Sequence, residues 1–232
     1  MLFRDNNDHL ENLDKERYQA IKREEMVDKQ LRVRGISHEA TLESMLTVPR
    51  HKFVSEDLCD LAYQDRALSI DKEQTISQPY IVALMTQALQ PKPEDKLLEI
   101  GTGSGYAAAV LAEIVEEVYT VERYEELAHK AQARFDSLDY ENINLRVSDG
   151  TKGWDEYAPF DGITVAAGAP VVPESLADQL VTEGRLVIPV GNKEGVQELV
   201  VLKKKSDGNL ARESLGQVRF VPLIGEKGWN QD

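Results

Sequence analysis

Glu99 closes an apolar run and is followed at once by Gly101, Gly103 and Gly105 in the stretch Leu98 to Tyr106, LEIGTGSGY. A strand end with a carboxylate, then a glycine turn, then a helical pattern is how a doubly wound α/β domain opens a nucleoside site. Glycine lets the backbone approach a ligand, and the helix N-terminus offers free amide donors. The spacing argues against a dinucleotide, whose pyrophosphate wants Gly-x-Gly-x-x-Gly, because Tyr106 stands where the third glycine would be. A carboxylate beside this turn suits a cation better than a phosphate. S-adenosylmethionine carries an ammonium and a sulfonium and no phosphate, so Glu99 can accept from its amino group.

Two further acidic residues follow in register. A strand from Val118 to Val121 delivers Glu122 about 20 residues past the turn, where a ribose-binding carboxylate belongs. A strand from Asn142 to Val147 ends in Ser148-Asp149-Gly150. Asp149 is placed to accept from an adenine amine while Gly150 lets the chain turn beneath the ring. Each acid taken singly also reads as a cap or turn residue. In this order, at three successive strand ends, they outline an S-adenosylmethionine site.

The elements that must hold these residues alternate from Lys96 onward. One helix carries Ala107, Val110, Leu111 and Ile114 on a face, and a second carries Leu127, Ala131, Phe135 and Leu138. A fourth strand is expected over Gly162–Ala166, a helix behind Pro173 over Glu174–Leu180, and a fifth strand over Arg185–Val190. Glu198–Leu202 and Gln217–Leu223 read as late strands about the turn Ser206-Asp207-Gly208-Asn209, with an antiparallel partner at a sheet edge. Lys203, Lys204 and Lys205 read as an edge guard. The fold class is therefore α/β, a doubly wound Rossmann-like sheet with an N-terminal helical segment. Residues 1–21 read as a charged, poorly ordered extension and 22–232 as one domain. Within it, 22–92 is helical and faces substrate, with Gly35 as a helix stop and Ser37 as an N-cap, and 93–232 is the cofactor-binding core.

At 232 residues, 41% of them hydrophobic, the chain can bury one large core. A formal net charge of −14 repels polyanions and disfavours nucleic acid or an anionic membrane as partner. The lone Cys59 makes no internal disulfide, and His9, His38, His51 and His129 fall at no metal-ligand interval, so no metal is expected. No stretch is long and apolar enough for a signal peptide or a membrane span, which makes the cytoplasm the default compartment.

Gln74-Thr75-Ile76-Ser77-Gln78-Pro79-Tyr80 places hydroxyls, amides and a phenol before a helix begun by Pro79. Those hydroxyls suit either helix capping or donation to an anion. With Val48-Pro49-Arg50-His51-Lys52-Phe53-Val54, LEIGTGSGY, Asp149-Gly150, Pro159-Phe160-Asp161-Gly162-Ile163, AAGAPVVPESLADQL from Ala166, GRLVIPVG from Gly184 and RFVPL from Arg219, the chain resembles the protein-L-isoaspartate O-methyltransferases from about Met26 to Gly225. QTISQP and RFVPL are far more specific than the glycine turn. The resemblance implies a monomeric repair enzyme that moves a methyl group from S-adenosylmethionine to the free α-carboxylate of L-isoaspartyl residues in damaged proteins and peptides. The ester then closes spontaneously to a succinimide. By the same resemblance Ser77 lies at the active centre, Thr75, Ile76 and Ser77 line the junction of cofactor and substrate, and Gln78 and Tyr80 neighbour the substrate. Glu99, Gly101, Gly103, Glu122, Asp149 and Gly150 contact the cofactor, with Gln197 on the same wall.

The acceptor needs no catalytic base, because a peptide carboxylate with a pKa of about 3 to 4 is already ionised at neutral pH. Ser77 then reads as a donor that orients the acceptor. The chain departs from the family in Leu68-Ser69-Ile70-Asp71-Lys72-Glu73, where relatives carry a proline and glycines. Asp71 and Glu73 bring charge and ordinary backbone restriction to an expected flexible loop. Two rival classes are a methyltransferase for another acceptor, against which QTISQP speaks, and a non-catalytic isoaspartyl-binding adaptor.

Overall fold

The computed structural model describes residues 2–193 and 195–230. Its centre is a seven-stranded sheet in the order β5-β4-β3-β6-β7-β8-β9, built from β3 (Lys96–Ile100), β4 (Glu117–Glu122), β5 (Ile143–Val147), β6 (Phe160–Val165), β7 (Leu180–Gly191), β8 (Gln197–Lys204) and β9 (Leu210–Val218). The strands through β7 are parallel and the last two antiparallel. Strand order reverses direction beside β3, which has β4 on one side and β6 on the other, so a crevice opens at the carboxyl end of β3.

Both faces of the inner strands β3, β4 and β6 are covered, which is why these strands read as nearly continuous apolar runs. Along β3, Leu97 joins a core that includes Met45, Phe53, Leu111 and Phe135. Leu98 and Ile100 point the other way, toward Val121, Phe160, Ile163 and Leu186. The helices that cover the sheet are α2 (Glu39–Thr47), α3 (Pro79–Leu89), α4 (Tyr106–Ala112), α5 (Glu125–Ser137) and α6 (Glu174–Asp178). Pro79 is the first residue of α3, where its missing N–H costs nothing. A two-stranded hairpin, β1 (Leu68–Ser69) with β2 (Thr75–Ile76), stands before α3.

Several boundaries differ from the sequence reading. Where residues 1–21 suggest a poorly ordered extension, α1 runs from Leu2 to Met26; its Glu, Lys, Arg and Gln residues are good helix formers, and Gln19 is buried. Glu16 on this helix bonds Lys52, which ties it to the body of the protein. A π turn over Val27–Leu31 and a 3-10 turn over Arg32–Arg34 continue it to Gly35, whose φ of 89° ends the run. The cap of α2 is His38 and not Ser37, because the His38 ring accepts from the Thr41 N–H. The last strand is Leu210–Val218, so β9 is the sheet edge and Lys203 and Lys204 lie one strand inside it. Lys203 pairs with Glu183 at 2.5 Å, and Lys204 donates to the carbonyls of Ala177, Asp178 and Leu180. Residues 219–223 instead run beside Gly168, whose N–H donates to the Val221 carbonyl at 2.8 Å.

Candidate active site

A cavity of about 450 Å³ lies at the carboxyl ends of β3 and β4. Its walls come from the β2–α3 segment, the glycine turn after β3, the end of β4, Ala166 and Ala167 after β6, and Val218–Ile224. Of the residues singled out in the sequence, Thr75, Ile76, Ser77, Gln78, Glu99, Gly101, Gly103, Glu122 and Gly150 all line it.

The glycine turn shapes the cavity wall after β3. Gly101 and Gly105 have φ of 94° and 90°, a region that side-chain-bearing residues avoid. A Cβ on Gly105 would also stand 2.7 Å from the Phe135 ring, so the turn and α5 need glycine there to close. Glu99 is buried at the floor. Its Oε2 accepts from the Thr120 hydroxyl at 2.6 Å, and that hydroxyl lies 2.6 Å from the hydroxyl of Thr102. Its Oε1 is buried with no hydrogen-bond partner. Burial pushes the Glu99 carboxyl up to about 8, against the Thr120 bond, and the Glu122 charge adds to the rise. An orphaned buried carboxylate oxygen facing a cavity calls for a donor, and an ammonium group supplies one together with the compensating charge.

Glu122 is held the opposite way, by backbone donors. The Gly103 N–H donates to Oε2 at 2.8 Å, and the N–H groups of Arg123 and Tyr124 donate to Oε1 at 2.8 and 3.0 Å. Its side chain is thereby fixed with its remaining lone pairs available to a diol. At the other end, Ser77 and Gln78 form the chain's entry into α3. The Ser77 carbonyl accepts from Arg50 at 2.8 Å, and the Gln78 amide donates to the Asp65 carbonyl at 3.2 Å.

Three expected site residues lie elsewhere. Tyr80 is not on the cavity wall; the Arg34 guanidinium covers its ring at 3.4 Å and pairs with Asp65 at 2.6 Å. Gln197 is buried behind the wall with its amide consumed by backbone. Its Oε1 accepts from the Phe220 N–H at 2.8 Å and its Nε2 donates to the Asn192 carbonyl at 3.1 Å. Asp149 faces an adjoining depression. Its Oδ1 accepts from the Thr151 N–H and hydroxyl, and its Oδ2 accepts from the Glu226 N–H at 2.8 Å.

A family model described as protein-L-isoaspartate(D-aspartate) O-methyltransferase matches residues 21–228. The chain belongs to this family. Among protein-L-isoaspartate O-methyltransferases, that of Pelotomaculum thermopropionicum is 56% identical over 213 residues, covering 92% of this chain and 93% of the relative. That of Geobacter metallireducens is 52% identical, over 91% and 98%. A solved protein-L-isoaspartate O-methyltransferase superposes with a TM-score of 0.80 at 29% identity, over 89% of this chain and 67% of that one. A Plasmodium falciparum member in complex with S-adenosyl-L-homocysteine gives 0.73 at 27%, over 86% and 96%.

For this methyltransferase, sequence reasoning missed Thr102 and Thr120, which orient Glu99, and Tyr106, which is buried on the cavity wall. Thr120 carries a weak signal, since a threonine inside the buried strand β4 needs a partner for its hydroxyl. Arg219, Phe220 and Pro222 also line the cavity, so RFVPL contributes to the site directly.

Proposed function

We propose that this chain transfers the methyl group of S-adenosylmethionine to the free α-carboxylate of L-isoaspartyl residues in damaged proteins and peptides. The observation that carries this reading is one cavity with two chemically distinct ends in a member of this family. The orphaned Oε1 of Glu99 sits with the backbone-held Glu122 at one end, and the hydroxyl-bearing Thr75–Gln78 segment at the other. The residues present fit the cofactor: Glu99 for the amino group, Glu122 for the ribose diol, Gly101 and Gly103 for close backbone approach and Gly150 under the base. S-adenosylmethionine supplies, when bound, a methyl group on a sulfonium centre.

The protein's share is binding, aim and exclusion of water. The acceptor arrives ionised, so no side chain has to remove a proton; among the described residues no histidine lines the cavity. Ser77 donates to the acceptor carboxylate and sets its approach, while Thr75, Ile76 and Gln78 wall the junction. Orientation of this kind lowers barriers by up to roughly 7–11 kcal/mol, and a dry cavity strengthens the attraction between carboxylate and cation. A substrate recognised by its backbone and misplaced carboxylate leaves side-chain sequence largely free.

We further read the chain as a monomer that works in the cytoplasm without nucleic-acid or membrane partners, with 22–232 as one methyltransferase unit and residues 1–21 as its charged extension. Its net charge of −14 supports this, and among the described residues no helix is long and apolar enough to cross a membrane. The outermost residues of those ranges, Met1, Gln231 and Asp232, lie outside the described residues.

The test is methyl transfer from labelled S-adenosylmethionine to two peptides identical except for one L-isoaspartyl or normal aspartyl linkage. Base-labile label confined to the isoaspartyl peptide is the expected result. No label on either peptide despite cofactor binding would overturn the reading in favour of another acceptor or an adaptor.

A further inference from the structure

Arg50, in the VPRHKFV stretch, is the largest fully buried side chain among the described residues. Its Nε donates to the Ala62 carbonyl at 2.7 Å and its Nη2 to the Ser77 carbonyl at 2.8 Å. The guanidinium lies 4.7 Å from the centre of the Tyr106 ring, and its Nη1 is buried with no hydrogen-bond partner. Among the described residues no carboxylate lies within ion-pair distance of it. Burial lowers its pKa to about 10, which still leaves it charged at neutral pH.

A buried cation with no anion is costly, and a packed apolar side chain would serve stability better. The arrangement makes sense if the missing anion arrives with the substrate. Ser77 and Tyr106, the two residues Arg50 touches on its inner side, both line the cavity. The acids Glu99 and Glu122 mark the cofactor end, so a positive centre behind Ser77 gives the cavity a polarity that matches a cation at one end and a carboxylate at the other. The arginines on the wall itself are Arg123 and Arg219; Arg219 is exposed, so its charge is screened by solvent.

We propose that Arg50 is a positioning residue for the methyl acceptor: its fork fixes the backbone at Ser77, and its uncompensated charge biases that end of the cavity toward a carboxylate. The inference rests on the function proposed above. Arg50 does not touch the acceptor; it acts through Ser77, Tyr106 and its field.

The test uses Arg50→Met and Arg50→Lys in the full chain, an isoaspartyl peptide, and the same peptide with that carboxylate replaced by a carboxamide, assayed as an inhibitor. Arg50→Met is expected to raise KM for the acid about tenfold or more, with the cofactor Kd within about threefold, and to flatten the wild-type preference for acid over amide. Arg50→Lys restores the charge and is expected to recover most of that preference. A purely structural role would lower melting temperature in both variants and leave the acid-to-amide ratio alone, and that result overturns the proposal. Should Arg50→Met fail to fold, the wild type decides: a buried charge predicts an acid-to-amide ratio that changes less than about twofold between about 0.05 and 0.5 M salt. A ratio that collapses with salt transfers carboxylate recognition to Arg219 and overturns the assignment. Failure of the parent reading is separate, since there the wild type itself would not methylate the acid peptide.

Discussion

At the scale of single residues, the proposed roles of Ser77 and Glu99 divide the work between acceptor and cofactor. A hydroxyl that donates to a charged acceptor contributes about 1.5–3 kcal/mol, so Ser77→Ala should cut turnover about 10- to 100-fold. The cofactor Kd should stay within about threefold, because the cofactor end is held by Glu99 and Glu122. Calorimetry beside initial rates checks this, and equal loss of cofactor affinity would remove Ser77 from the acceptor role. Glu99 makes a different prediction. With its pKa near 8 the carboxyl is mostly protonated at pH 7, yet only the ionised form pairs with an ammonium. Binding of S-adenosylhomocysteine at pH 7 should therefore release nearly one proton, read as a binding enthalpy that depends on the buffer's own ionisation heat. Glu99→Gln should abolish the release and weaken binding at least about tenfold; a wild-type enthalpy independent of buffer would mean that Glu99 is already ionised.

At the scale of elements, two segments outside the sheet close the cavity by different means. The β1–β2 hairpin turns through Lys72 and Glu73, both at φ 57°, positions where glycine would cost least. Ion pairs to α5 hold its tip, Lys72 with Glu126 at 2.6 Å and Asp71 with Lys130 at 2.8 Å, while Lys130 and Glu126 pair with each other along α5 at 3.0 Å. Asp71 and Lys72, within the stretch that departs from the family pattern, thus form the strap that seats the loop. The second segment runs from Leu223 to Trp229 and is pinned to Asp149 through the Glu226 N–H and to Gly168 through the Trp229 indole at 3.0 Å. A Cβ on Gly225 would stand 2.1 Å from Asp149 Oδ1, so Gly225→Ala must lift this segment, and with it Leu223 and Ile224 of the cavity wall. Gly225→Ala and Asp149→Ala should each weaken cofactor binding about fivefold or more, and the double variant should be little worse than either, because both break one clasp. Additive losses would instead give Asp149 its own contact with the cofactor. Asp149, Tyr80 and Gln197 show what a linear pattern leaves open. Period and spacing bring a residue to a strand end or a helix start, but which way its side chain points depends on segments far along the chain, here 219–229, Arg34 and Phe220.

At the scale of the whole molecule, the doubly wound core was legible because its strands are buried on both faces and its crossovers carry clean helical stripes, as in Leu127, Ala131 and Phe135 of α5. That Glu99 and Glu122 reach the cavity was legible because strand ends at a switch point leave few places for a ligand. Arg50 was not, since nothing local separates a buried arginine from the surface ones that surround it in sequence. The burial of Glu99 reaches beyond the site to global stability. Its carboxyl is raised in the folded apo protein, so between about pH 4.5 and 8 the native state holds a proton that the unfolded chain has lost, and stability declines with rising pH across that window. Other groups titrate too, and the comparison with Glu99→Gln cancels them. From pH 5 to pH 8 the apo wild type should lose at least about 3 °C of melting temperature relative to the variant, equivalent to about 1 kcal/mol for a chain of this size. Saturating S-adenosylhomocysteine should reverse the order, since ligand at about 100 times Kd adds about 2.7 kcal/mol and the ammonium removes the reason for Glu99 to hold its proton. The ligand-induced shift should then grow with pH in the wild type and stay flat in Glu99→Gln. Parallel apo profiles for the two proteins would show that Glu99 titrates alike in the folded and unfolded chain, and the cofactor end of the cavity would need a different source of affinity.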